Sequence, residues 1–164
     1  MARPRPDPAG ARGDRALGGP RRGAARGRAG RVARVILYLD TSAYVRACGD
    51  EDGSAAARAA LAAHPGPVVS SALLEVEVGR TAARAGGDAA RRLQSMLDLV
   101  DRVDISRAVI AVAAHLAPGV ALRSPDAIHI ATALALEEPT AVMTYDGRLQ
   151  EACRAVGLPV LAPA

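Results

Sequence analysis

At 164 residues the chain has room for one domain with one core. It contains no Phe, Trp or Lys, so that core is built from Leu, Val, Ile and Ala, and all 21 basic side chains are Arg. The net charge of +4 hides two unlike segments: residues 1–34 carry ten Arg against Asp7 and Asp14, while residues 35–164 carry eleven Arg against fifteen acids, which excludes an overall basic field as the body's route to nucleic acid.

Residues 1–34 are Arg, Gly, Pro and Ala with a single Leu. They cannot bury enough apolar area to offset their ordering entropy and read as a disordered tail. An upstream start codon explains this tail better than a basic arm for nucleic acid does, with Val32 or Val35 as the alternative start. The segment GAARGRAG after Arg21-Arg22 has none of the apolar character a twin-arginine signal needs. No apolar run reaches the ~18 residues of a membrane span, and a cytoplasmic location is expected. Cys48 and Cys153 lack zinc-site spacing and read as buried thiols.

The folded part begins at Val35. VILYLD (35–40) has strand length and β-branched character, and TSAYVRAC follows as a short helix. Ser54–His64 reads as a second helix, ended by Pro65-Gly66-Pro67. VVSS is a short strand, and Ser71 caps a helix to about Ala85 that Gly86-Gly87 breaks. Asp88 caps the next helix, DAARRLQSMLDLV, and DRVDI (101–105) reads as a weak strand. Ser106 caps a helix to Leu116, ended by Pro118-Gly119. Ser124-Pro125 starts a helix that runs to about Glu138. TAVMTY (140–145) is a strand, DGRLQEACRAVG a helix closed by Gly157, and LPVL a last strand. Strands alternating with helices imply an α/β fold with a central parallel sheet of about five strands, covered on both faces. In such sheets ligands bind beyond the carboxyl ends of the strands.

Four acids stand out: Asp40, Glu77, Asp126 and Asp146. Asp40 and Asp146 close strands, Asp126 lies near a helix start, and Glu77 lies within a helix. Each has an ordinary explanation. Asp40 and Asp146 can cap the helices that follow, Asp126 can serve a helix dipole, and Glu77 can be a solvated charge. Glu75 competes with Glu77, but residues two apart on a helix point about 200° apart, so only one of them can face a common site. Brought together, the four carboxylates would suit magnesium or manganese, the hard cations of phosphoryl chemistry. His129, one turn after Asp126, reads as a contact to that site or as a structural histidine.

The strings YLDTSAYV, SSALLEVEVGR, RSPDAIHIATA and MTYDGRLQEACRAVGLPV resemble, in order and spacing, the PIN-domain ribonucleases, and within them the VapC-type toxins of bacterial toxin–antitoxin pairs. The resemblance covers about 35–162. It implies a three-layer α/β/α PIN-like fold and a magnesium-dependent endoribonuclease (manganese may replace magnesium). It also implies a homodimer, an RNA substrate and inhibition by a cognate antitoxin. By motif match, Asp40 and Asp126 are the expected direct metal ligands, and Glu77 and Asp146 hold a second ion or a water. Thr41 and Thr144 tune the site by hydrogen bonds, with His129 as an accessory, and Arg80, Arg123 and Arg148 are available to phosphate. The long tail of residues 1–34 departs from the family and leaves the motifs intact.

Three other readings lack what they need. An Asp-nucleophile phosphatase requires a second Asp where Ser42 stands and a Lys, and a receiver domain requires the same Lys. No GK[ST] of a P-loop occurs. The non-enzymatic alternative is a catalytically degenerate PIN-like module that binds RNA or protein.

Overall fold

The computed structural model describes residues 35–138 and 140–164. The expected disordered tail, residues 1–34, lies outside the described residues. Among those described, β1 (Ile36–Leu39), β2 (Val68–Ser71), β3 (Asp101–Val103), β4 (Thr140–Met143) and β5 (Val160–Leu161) form one parallel sheet in the order β3-β2-β1-β4-β5. The helices between them are α1 (Thr41–Cys48), α2 (Ser54–Ala63), α3 (Leu73–Ala85), α4 (Gly87–Ser95), α5 (Arg107–Ala113), α6 (Ser124–Leu134) and α7 (Gly147–Ala155).

β1 is central and buried along its whole length, and its alternation splits the core in two. Leu37 and Leu39 face a cluster with Tyr44, Leu74, Val78 and Leu93 from α1, α3 and α4. Tyr38 faces the opposite cluster with Ile130, Leu149 and Cys153 from α6 and α7. Helices thus cover both faces, and a strand buried on both sides reads as a continuous apolar run, as VILYL does. With no Phe or Trp, the two largest fully buried side chains are Tyr38 and Tyr44. Each buried hydroxyl needs a partner, and Tyr44 donates to the carbonyl of Leu93, tying α1 to α4. Both cysteines are free and buried, and burial pushes the Cys153 thiol up to about 11.

Several boundaries differ from expectation. Asp88 does not cap α4: Gly86, at φ 66°, precedes the helix, and Asp88 in the first turn pairs with Arg91. Arg123, not Ser124, is the cap of α6, which ends at Leu134 rather than near Glu138. α5 stops at Ala113 instead of Leu116. Ser71 still receives the Leu73 N–H on its hydroxyl at 3.1 Å, although Ala72 intervenes before α3. Ser106 caps α5 as expected, accepting from Val109 N.

The sheet order places the topological switch between β1 and β4: the chain leaves β1 toward β2 and β3, then returns to the other side of β1 as β4. The crevice beyond the carboxyl ends of strands at such a switch is where open α/β sheets bind ligands. No helix among the described residues is long and apolar enough to cross a membrane.

Candidate active site

Asp40 leaves the end of β1 at this switch and is 6% exposed. It is the N-cap of α1, and its Oδ2 accepts from Ser42 N at 3.1 Å, Ser42 Oγ at 2.5 Å and Thr144 Oγ1 at 2.9 Å. Thr144, just past β4, is fully buried and accepts the Asp146 N–H at 3.1 Å. One hydroxyl therefore joins the strand-end acids of β1 and β4. Asp146 caps α7 through Oδ1, which accepts from Arg148 N at 2.8 Å and Leu149 N at 3.2 Å. Asp126, in the first turn of α6, accepts the Arg123 N–H on Oδ2 at 3.2 Å.

Glu77 approaches from α3. Its Oε2 accepts from Thr41 Oγ1 at 2.5 Å and lies 2.9 Å from His129 Nε2. His129 is 2% exposed, and its Nε2 is also 4.0 Å from Asp40 Oδ1. Glu75 points away and pairs on the surface with Arg102 at 2.5 Å. The helix geometry admits only one of the two toward the site, and that one is Glu77. Glu77→Gln is expected to impair the chemistry of the site about 10-fold or more, and Glu75→Gln to leave it within twofold. Parallel RNA-cleavage rates of the two variants check this.

The ordinary and the functional readings of these acids turn out to be compatible. Each aspartate commits one carboxylate oxygen to a helix start, and Glu77 commits one to Thr41 and His129. Among the described residues no hydrogen bond reaches the other oxygen: Oδ1 of Asp40, Oδ1 of Asp126, Oδ2 of Asp146 and Oε1 of Glu77. The helix start is thus the device that positions each aspartate, and Thr41 and His129 position Glu77.

The electrostatics couple them. Burial raises the Asp126 carboxyl, the Arg123 backbone N–H opposes this, and the charges of Asp146 and Asp40 push it up again, for a net rise above the ordinary 3.8. At Glu77 burial also pushes upward, but hydrogen bonds from His129 and Thr41 outweigh it, and the carboxyl ends below its ordinary value of 4.5. The two shifts have opposite linkage. The Asp126 contribution to stability is fully present below its unfolded value and is lost as pH rises through the raised one. The Glu77 contribution is present above its unfolded value and is lost as pH falls through the lowered one. Asp126→Asn should therefore gain on the metal-free wild type as pH rises from about 3 to about 7. Chemical denaturation of both proteins across that range measures the widening gap.

Arg80, Arg123 and Arg148 are exposed and give no side-chain hydrogen bond to this network among the described residues, although the Arg123 charge opposes the rise at Asp126. Sequence reasoning passed over two members. Ser42 was weighed only as a missing aspartate, yet its hydroxyl binds Asp40 and accepts the Tyr145 N–H at 2.9 Å. Tyr38 was read only as part of the strand VILYLD, although a tyrosine in an otherwise aliphatic buried strand signals a hydroxyl that must find a partner.

Among the described residues no three His, Cys, Asp or Glu side chains already converge on one ion position. The free oxygens form an open set of hard donors, and the donor chemistry fits magnesium or manganese rather than zinc.

Residues 37–155, from β1 through α7, match the PIN domain family. The chain belongs to the PIN-domain family. The match spans all four acids and excludes residues 1–34. This PIN domain is 43% identical to Ribonuclease VapC35 of Mycobacterium tuberculosis over 98 residues, 58% of this chain and 72% of that protein. It is 36% identical to Ribonuclease VapC47 of the same organism over 133 residues, 78% of this chain and 97% of that protein. Its fold is that of a toxin-antitoxin complex chain from Klebsiella pneumoniae, at a TM-score of 0.59 and 22% identity over 78% of this chain and 98% of that one.

Proposed function

We propose that this PIN domain is a magnesium-dependent endoribonuclease, the toxin of a toxin–antitoxin pair, which cleaves cellular RNA in the cytoplasm and so arrests translation. The observation that carries the reading is the set of four acids, each holding one oxygen on the scaffold and leaving the other without a hydrogen bond among the described residues. Asp40 and Asp126 would be the direct ligands, and Glu77 and Asp146 would hold a second ion or a water. Bound magnesium, or manganese in its place, would polarise a phosphoryl oxygen and lower the pKa of a water.

The protein's own residues do the rest. Ser42 and Thr144 hold Oδ2 of Asp40 and leave Oδ1 without a hydrogen bond among the described residues. The exposed guanidinium groups of Arg123 and Arg148 flank the caps of α6 and α7 and are available to backbone phosphates from the rim. Since residues 35–164 carry more acids than Arg, RNA would be held by these local contacts and by the ion. The relatives named as VapC ribonucleases support the RNA substrate, and the complex named as toxin-antitoxin supports a cognate antitoxin; a homodimer is proposed on the family resemblance alone.

Sequencing RNA ends after induced expression tests the reading. Wild type should create new ends at discrete sites and Asp40→Asn none. Identical end profiles in the two would refute it.

A further inference from the structure

Unpaired RNA bases are read by stacking on aromatic rings or on Arg guanidinium planes. With no Phe or Trp, the chain has three tyrosines, of which Tyr38 and Tyr44 are fully buried. Tyr145 is half-buried and stands between Thr144 and Asp146. Its backbone N–H donates to the same Ser42 hydroxyl that holds Asp40, and its own hydroxyl donates to the Pro163 carbonyl at 2.7 Å. The ring is thus fixed at both ends. The Arg46 guanidinium lies over it, 4.3 Å from the ring centroid. Arg46 follows Ser42 by four residues on α1, so the two share a face, about 9 Å along the axis from Asp40. Its edges are already occupied. Nη1 donates to the Asp52 carbonyl at 2.6 Å. Nε is buried without a hydrogen bond among the described residues, 3.9 Å from Glu51 Oε1. Each fork by which a guanidinium grips a phosphate at two points needs Nε or Nη1, so both forks have lost a prong. The side chain is still 30% exposed, and with one face on Tyr145 that leaves the opposite face and Nη2 for a ligand.

We infer that Arg46, seated on Tyr145, is a stacking platform that receives one unpaired RNA base beside the four acids. The inference rests on the ribonuclease reading above and deepens it by naming the kind of nucleotide taken next to the cleaved bond. Every base has a flat face, so the platform selects unpaired over paired nucleotides rather than one letter of sequence. The base gains from stacking and from the guanidinium charge. Tyr145 and Asp52 already hold the side chain, so little of its rotamer freedom is lost on binding. A duplex keeps its bases inside and would present only its backbone, which the blocked forks of Arg46 serve poorly.

The test separates base from phosphate. The full chain carries Asp40→Asn, so that bound RNA stays intact, and binding is followed by fluorescence anisotropy. The probes are a short oligouridine and a strand of the same length made of ribose-phosphate units without bases. Oligouridine should bind about 5-fold or more tighter than the abasic strand, the range for one stacked base. Adding Arg46→Lys, which keeps the charge and loses the plane, should shrink that ratio by about 5-fold and leave affinity for the abasic strand nearly unchanged. Tyr145→Leu, which removes the seat, should shrink the ratio in the same way and serves if Arg46→Lys does not fold. A ratio that neither substitution changes would overturn the inference, as would equal binding of the two strands before either is made. If wild type cuts no RNA while the ratio still depends on Arg46, the ribonuclease reading fails and the platform stands. If neither strand binds, both fall.

Discussion

Asp40→Asn is expected to lower RNA cleavage by about 100-fold or more while the protein stays folded. The two halves of this expectation have separate causes. Asparagine caps helices about as well as aspartate, and its amide oxygen can take over the bonds from Ser42 N, Ser42 Oγ and Thr144 Oγ1. The stability of the metal-free protein should therefore stay within about 1 kcal/mol of wild type. The atom that changes character is the other one. Oδ1, an anionic oxygen beside His129 and the crevice, becomes an NH2 group that can donate but cannot ligate a cation. Loss of a partner that merely orients a ligand costs 10- to 100-fold, and loss of a ligand costs at least the upper end of that range. Cleavage rates on total RNA, melting temperature and growth after induction should separate accordingly: folded, inactive and harmless. Cleavage at the wild-type rate would remove Asp40 from the chemistry.

The second large effect is that of metal itself. A chelator should abolish cleavage and magnesium should restore it. Magnesium should also raise the melting temperature, because an ion that binds only the folded state stabilises it by about 2.7 kcal/mol at one hundred times its dissociation constant. For a domain of this size that is a shift on the order of 10 °C. The structure supplies the reason for a response of this size. Burial and the charges of Asp146 and Asp40 hold the Asp126 carboxyl above its ordinary value, so an uncompensated negative cluster exists before any ion arrives. A cation relieves that repulsion. The response should shrink in Asp126→Asn, which removes one of the repelling charges along with one ligand. A degenerate module that had lost its metal chemistry would melt at one temperature with or without magnesium.

Much of the fold was legible because two signals coincide in it. The run VILYL predicts a strand buried on both faces, and β1 is central with Leu37 and Leu39 on one side and Tyr38 on the other. Strand-end aspartates predict ligand-edge caps, and Asp40 and Asp146 are both. Boundaries were legible only where a side chain forces them. Gly157, at φ 78°, follows α7 in a conformation that favours glycine, whereas nothing local marks Leu134 as the end of α6. Asp88 misled because Gly86-Gly87 already provides the break, leaving the aspartate in the first turn as an ion-pair partner.

At the site, the positions of the acids were readable but their connections were not. Glu75 and Glu77 are chemically equal in sequence, and the direction of α3 decides between them. Thr144 was expected to tune the site by hydrogen bonding, but its bridge between Asp40 and Asp146 depends on β1 and β4 being neighbours, a pairing 104 residues apart in sequence. The same holds for Tyr38 and His129, 91 residues apart. Hydrogen-bond partners at such separations follow from topology, which local pattern does not encode.

The central claim is that the four acids form a divalent-cation site in which Asp40 and Asp126 are the direct ligands. Crystals grown or soaked with manganese test it most directly, through the anomalous signal of the metal. The expected result is a peak within ligand distance, about 2.2 Å, of the free oxygens of Asp40 and Asp126, lost in Asp40→Asn. Manganese bound elsewhere, or absent from this crevice at concentrations that support cleavage, would contradict the account.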